Sequence, residues 1–297
     1  MTPTNPVTFR KVVAPLITVD HKPSPSLPVR ATLGPMEQRE ALLEVYQTQD
    51  NYQSSPLFIC EGRWIVEALL ESPFDVHSVV LVDGQHQDLL ELIPPDVPIV
   101  TVTQPEANAM LGFHFHRGVL AAAKKPRPQS IQEWTNDTTD QVNDPHPWIV
   151  APLLADPSNI GALIRNAAAL GAGAVITGTS GASPWYRKAI RASAGTAFRI
   201  PVISSPLLAK DMEWLRQETD IEIVALALTE SAIPINQFIP GRRKVALVVG
   251  EEAHGLDPTW LEHCHRSMEI PMAHGVDSLN VATSAALALY HLRQQSL

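Results

Sequence analysis

From Trp148 to Leu292 apolar residues come in short continuous runs instead of alternating with polar ones. "PWIVAPLL", "AVITG", "RIPVIS", "EIVALAL", "KVALVVG" and "SMEIPM" are rich in Val and Ile and have strand length. Runs of this kind suit strands buried on both faces of a parallel sheet. Between them "SNIGALIRNAAALG", "SPWYRKAIRASAG", "LLAKDMEWLRQET" and the closing alanine-rich stretch carry helical spacing. The first of these helices is expected to be capped by Ser158 or Asn159 and closed by Gly171. Alternation of strand and helix predicts an α/β class.

The first half is a smaller version of the same grammar. A helix is expected from Glu37, a short strand at "PLFICEG", a helix at "RWIVEALLES", and strands at "VHSVVLVD" and "VPIVTVT". "PEANAMLGF" reads as a helix and "HRGVLAAAKKP" as a returning strand. Residues 1–35, rich in Pro, Thr and Val, are expected to form an extended or disordered arm. The proline-punctuated polar stretch 126–146 is expected to be a linker, with room for a short helix at "SIQEW". The domains expected are therefore 36–125 and 147–297.

Composition changes the picture little. Of 297 residues, 45% are hydrophobic and 18% charged, which suits folded cores. The net charge of −9 argues mildly against nucleic acid as partner, although a local basic patch survives on an acidic chain. Two distant cysteines, Cys60 and Cys264, make no disulfide framework and suggest a reducing, cytoplasmic setting. No secretory leader is evident at the start. The most apolar region is broken by Asp156, Pro157, Asn159 and Arg165, which a membrane span would not tolerate.

Three loops after strand ends carry candidate chemistry. In "ADPSNIGALIRNAAALGA", Asn159 stands at a helix start, Gly161 permits close approach, and Arg165 follows among Ala, Leu and Ile. Asn159 is equally a plain cap. A cation among apolar residues needs a partner, so Arg165 is either in a structural ion pair or on a phosphate or substrate. "LVVGEEAHGLDP" has neither Walker nor Rossmann glycine spacing, and its two carboxylates favour a ligand bearing positive charge or hydroxyls. In "IPMAHGVDSLNVATSAALALYHL", capping by Asp277 or Ser278 is ordinary, but it leaves Asn280 unexplained.

Taken in order, "NIGALIR", "GEEAHGL" and "IPMAHGVDSLNV" resemble the motifs of the SpoU (TrmH-like) branch of the SPOUT RNA methyltransferases. The resemblance covers the C-terminal half. It implies a trefoil-knotted parallel-sheet α/β domain, an exception to unthreaded topology, with S-adenosylmethionine bound in the knot and two subunits paired as a homodimer. Leu228, Thr229, Gly250, Ile270 and Leu279 would then line the cofactor pocket. Asn159, Arg165, Glu252, Ser278 and Asn280 match the family's polar active-site set, with Glu251 an unusual neighbour. "FICEGRWIVEALLES" and "HRGVLAAA" are similar to the small α/β RNA-binding domain that precedes the catalytic domain in many relatives, itself related to a large-subunit ribosomal protein family. Arg63, His116, Arg117, Lys124 and Lys125 are its candidate phosphate contacts; solvated surface is the plain alternative.

The activity implied is methylation of a ribose 2′-hydroxyl in structured RNA, ribosomal before transfer RNA. The alternatives are base methylation within the wider group and a silent RNA-binding or ribosome-assembly protein. The "HFH" and "HCH" triplets do not converge on one metal ion, so no metal is expected. Cys264 lacks an activating neighbour. Arg187, Lys188 and Arg191 share one helix that either tracks RNA backbone or is solvated.

Overall fold

The computed structural model describes residues 36–47, 55–137, 142, 144–242, 244–251 and 255–295. The expected arm, residues 1–35, lies outside these, as does Glu252.

The chain begins with α1 (Met36–Gln47), β1 (Leu57–Glu61), α2 (Arg63–Leu70), β2 (Val76–Val82), β3 (Ile99–Val102), α3 (Gln104–Leu111) and β4 (Val119–Lys124). These strands form one sheet in the order β1-β4-β2-β3. β4 runs antiparallel to both β1 and β2, and β2 is parallel to β3. α3 starts in a capping box, Thr103 with Glu106, and ends at Gly112 in the left-handed region.

Next come α4 (Ile131–Asp137), β5 (Trp148–Ala151), α5 (Pro157–Ala169), β6 (Ala174–Gly178), α6 (Arg187–Ser193), β7 (Val202–Ser205), α7 (Leu208–Glu218), β8 (Ile221–Leu226), β9 (Ile233–Pro234), β10 (Lys244–Val249), α8 (Pro258–Leu261), β11 (Arg266–Glu269) and α9 (Val281–Gln295). The second sheet has the order β7-β6-β5-β10-β8-β11-β9, and every pairing in it is parallel. β5 and β10 are buried along their whole length, as their continuous Val and Ile runs require. β10 is inserted between β5 and β8, earlier in sequence, so the late loop after Val249 comes to lie among earlier strand ends.

Two features join the halves. The first is aromatic: Phe58 of β1 stacks on Phe198 at 5.7 Å and lies 5.3 Å from Trp185, with Phe74 completing the cluster. The second is the stretch read as a linker. Ile131 and Trp134 of α4 are buried against Trp148, and Asp211 of α7 accepts the Ile131 N–H.

Candidate active site

The turn from β5 into α5 is capped by Asp156, whose carboxylate accepts the Ser158 N–H at 2.9 Å, with Pro157 in the first turn. This corrects the expected cap at Ser158 or Asn159. The Ser158 N–H and Lys188 ammonium together hold the Asp156 carboxyl below the usual range. Asn159 is thereby released for another task. Its Oδ1 accepts the Asn280 side-chain N–H at 3.0 Å. Seven residues on, on the same helix face, Asn166 donates to the Ala282 carbonyl at 2.8 Å. α5 is thus tied to the start of α9 twice.

Asn280 has a second role. Its Oδ1 accepts the Ala282 N–H at 3.0 Å and the Thr283 N–H at 3.3 Å, so Asn280, not Asp277 or Ser278, caps α9. Gly161 serves packing, not a ligand: a Cβ there would run into the Ala189 carbonyl oxygen of α6.

The loop after β10 is folded on itself. Glu251 and Gly255 exchange both backbone hydrogen bonds, at 3.0 and 2.9 Å. A Cβ on Gly250 would collide with the Gly255 carbonyl and the Leu256 nitrogen, so only glycine fits. Asp257 caps α8 by accepting the Thr259 N–H at 2.8 Å.

The ends of β8, β10 and β11 and the approach to α9 enclose a cavity of about 380 Å³. Leu228, Gly250, Ile270, Ser278 and Leu279 all line it, beside Leu226, Leu256 and Met272. Glu251, Glu269 and Asp277 add carboxylates. Thr229 is not in the lining, but its buried Oγ1 has no hydrogen-bond partner among the described residues and sits next to Leu228. Apolar walls, open strand ends and nearby carboxylates suit a ligand with a flat apolar part and a positive charge.

Arg165 stands elsewhere. It is exposed, and the apolar burial that would have demanded a partner is absent; it has no hydrogen bond or ion pair among the described residues. It borders a separate depression of about 510 Å³ with Asp144, His146, Thr196 and Arg199.

None of the phosphate-contact candidates of the first sheet borders the cavity. Arg63 pairs with Asp88 at 2.5 Å, Arg117 with Glu61 at 3.5 Å and Lys124 with Asp75 at 2.5 Å. His116 is exposed, and Lys125 is half-buried with its pKa lowered by desolvation. The α6 cations are paired, Arg187 and Arg191 with Glu61 and Lys188 with Asp156, and of the three Lys188 and Arg191 also remain exposed to solvent. His265 is structural, its Nδ1 accepting the Ile223 N–H at 3.0 Å. Burial pushes the Cys264 thiol up to about 12, which removes it as a nucleophile.

A sequence profile described as the SpoU rRNA Methylase family matches residues 148–290. The 23S rRNA (guanosine-2′-O-)-methyltransferase RlmB of Acinetobacter baylyi is 32% identical over 242 residues, covering 80% of this chain and 96% of that protein. This chain belongs to the SpoU rRNA methylase family. An uncharacterized tRNA/rRNA methyltransferase of Mycobacterium bovis is 33% identical over 79% of this SpoU family member and 80% of that protein. Among solved structures, the SpoU methyltransferase AviRb of Streptomyces viridochromogenes in complex with AdoMet has the same fold, with TM-score 0.70 and 22% identity over 87% of this chain and 97% of that one. The loops quoted above from this SpoU member fall inside the matched region, and so do Leu228, Gly250, Ile270 and Leu279 of the cavity lining. Asn166 was missed in the sequence reading; its i+7 relation to Asn159 was the available signal.

Proposed function

We propose that this protein methylates a ribose 2′-hydroxyl of ribosomal RNA with S-adenosylmethionine as donor. The observation that carries the reading is the Asn280–Asn159 hydrogen bond, which joins the first and last motifs at a residue whose chain neighbours, Leu279 and Val281, line the cavity. The RlmB relative, with its 2′-O specificity, supports the reaction class. The cavity fits the donor: apolar side chains suit its adenine and the carboxylates suit its charge.

When bound, S-adenosylmethionine supplies an electrophilic methyl group on a sulfonium. The rest of the task falls to the chain. A ribose hydroxyl is a poor nucleophile until its attack line is fixed and its proton shared. Ser278 and the Asn159–Asn280 pair orient the ribose at the start of α9. Arg165 does not border the cavity, so on this reading it meets the RNA, holding a phosphate so that the ribose hydroxyl is aligned for attack. A guanidinium, with a pKa above about 12, is a poor general base.

Residues 36–125 are proposed as the substrate RNA-binding domain, 126–146 as the connection and 147–297 as the methyltransferase domain, with the knotted path the family resemblance implies. A homodimer is proposed through α9, where Leu287 and Tyr290, three residues apart, are both exposed. No metal enters the reaction. A cytoplasmic location follows from a ribosomal substrate, and no helix among the described residues is long and apolar enough to cross a membrane.

The test is methylation of 23S rRNA with isotopically labelled donor, followed by alkaline hydrolysis. A 2′-O-methyl group removes the hydroxyl that cleaves the neighbouring phosphodiester, so label is expected in alkali-resistant dinucleotides. Label in mononucleotides would mean base methylation and overturn the reading.

A further inference from the structure

Glu61, at the end of β1, is 4% exposed, yet it receives three guanidiniums: Arg117 at 3.5 Å, Arg191 at 3.4 Å, and Arg187. One carboxylate neutralises one of them. An excess of positive charge therefore collects where the two sheets meet, in a chain whose net charge is −9. Large aromatic side chains flank it with little cover. Trp64, three residues after Glu61, is 77% exposed, and Phe113 is 45% exposed with the Arg187 guanidinium 5.5 Å from its ring centre. The fold makes little use of the Trp64 ring, an expensive side chain to leave in water.

The same strip continues toward Arg165. A Cβ built on Gly195 would lie 3.9 Å from the Trp64 carbonyl oxygen, so the start of α2 abuts the turn at 195–198. Thr196 of that turn borders the depression that also holds Arg199 and Arg165. Two exposed rings, Phe113 and Trp64, and the exposed guanidiniums of Arg191, Arg199 and Arg165 thus lie on adjoining segments where the two sheets meet. Stacking platforms beside cations that track a backbone are how proteins hold single-stranded nucleic acid, because every base has a π-face and every linkage a charge. A duplex would offer the phosphates without free base faces.

We propose that this junction is a track for an unpaired segment of the substrate RNA, in which Trp64 and Phe113 stack bases while Arg191 and Arg199 hold phosphates. The proposal rests on the RNA reading above and adds to it where the strand runs and that it is single-stranded. It also accounts for RNA binding by an acidic protein.

The experiment measures binding of the full chain to fluorescein-labelled oligo(U) by anisotropy over a salt series, with donor binding followed by calorimetry. Trp64→Ala is expected to weaken oligo(U) binding roughly tenfold, and Trp64→Phe, which keeps a stacking face, far less. Arg191→Gln is expected to lower the slope of log K against log salt by about 0.7, the value for one phosphate contact on a single strand. Affinity for S-adenosylmethionine should stay unchanged in all three, since none of these residues borders the cavity. If the unaltered protein methylates 23S rRNA while Trp64→Ala binds oligo(U) as tightly as it does, the track is wrong and the methyltransferase reading stands. An unaltered salt slope in Arg191→Gln, or equal competition by a duplex of the same length, also overturns it. An unaltered protein that neither binds oligo(U) nor methylates rRNA removes both.

Discussion

The side-chain nitrogen of Asn280 donates to the Asn159 oxygen across 3.0 Å, while the Asn280 oxygen closes the first turn of α9. One amide therefore does two jobs, donating with its nitrogen and accepting with its oxygen, which an ionised carboxylate cannot combine. Asn280→Ala is expected to lose about 1 kcal/mol of stability with the cap and at least about tenfold in methyl transfer. Asn280→Asp keeps an acceptor for the helix but not the donor to Asn159. Thermal melts should recover in that variant while single-turnover methylation stays low. Recovery of both would show that the contact between the two amides is irrelevant to catalysis.

Gly250 tests the cavity. Because its position has no room for a Cβ, Gly250→Ala must push the Gly255–Leu256 backbone outward. The expected strain is about 1–3 kcal/mol, as for other overpacked sites. Calorimetry should find S-adenosylmethionine affinity reduced by more than about tenfold, because the displaced segment is part of the cavity wall.

Arg165 separates function from stability. Exposed and without a partner among the described residues, it contributes little to the fold. Arg165→Ala should melt within about 0.5 kcal/mol of the unaltered protein. Donor affinity should be unchanged and methyl transfer lower by about a hundredfold. Near-normal turnover would remove Arg165 from the mechanism.

Lys244, buried at the start of β10 with its ammonium 3.9 Å from the centre of the Trp148 ring, gives a signature in alkali. Desolvation lowers its pKa to about 8, against the opposing pull of Asp144. Above that value the folded form has released a proton that the unfolded chain keeps, so this group makes stability rise with pH. Above pH 9 the trend is opposed, because burial raises Cys60 and Cys264 from 9.0 to about 12 and their unfolded thiols ionise first. Denaturant melts at pH 8 and 9 should therefore show the unaltered protein gaining stability relative to Lys244→Met. A constant difference would mean that Lys244 titrates normally.

On the acid side the reporter is His265. Its pKa is lowered, by desolvation first and by Arg242 and Arg216 next, and its neutral Nδ1 accepts the Ile223 N–H. As pH falls below 6.5, the unfolded ring takes up a proton before the folded one does, so stability is lost in the window just below 6.5. His265→Gln, which has no titrating group, should flatten this slope in melts between pH 5 and 7, and an unchanged slope would assign it to other groups.

Which parts of this architecture were legible depended on how local their physics is. The parallel sheet could be read because Ile149–Val150 and Val245–Val249 are buried on both faces, and continuous β-branched runs record that directly. The motif loops could be read because glycine and amide requirements are local. The cap of α9 could not, since Asp277, Ser278 and Asn280 are all good caps and only the true first turn decides among them. Helical spacing places Arg165 beside buried Ile164 without telling which way the helix is rotated. The grip of Arg187 and Arg191 on Glu61 joins residues 126 and 130 positions apart, and no local pattern encodes that. Ile131 and Trp134 looked like linker because the polar residues around them diluted a short apolar face.

The insertion of β10 between β5 and β8 bears on synthesis. The small sheet closes once Lys124 has emerged from the ribosome, but the larger one has a gap at its centre until residues 244–249 arrive. The walls of the cavity run from Leu226 to Ser284, so the nascent chain has no complete cavity until residue 284 has emerged. A ribosome making this chain thus completes the smaller sheet well before the larger sheet and its cavity can close.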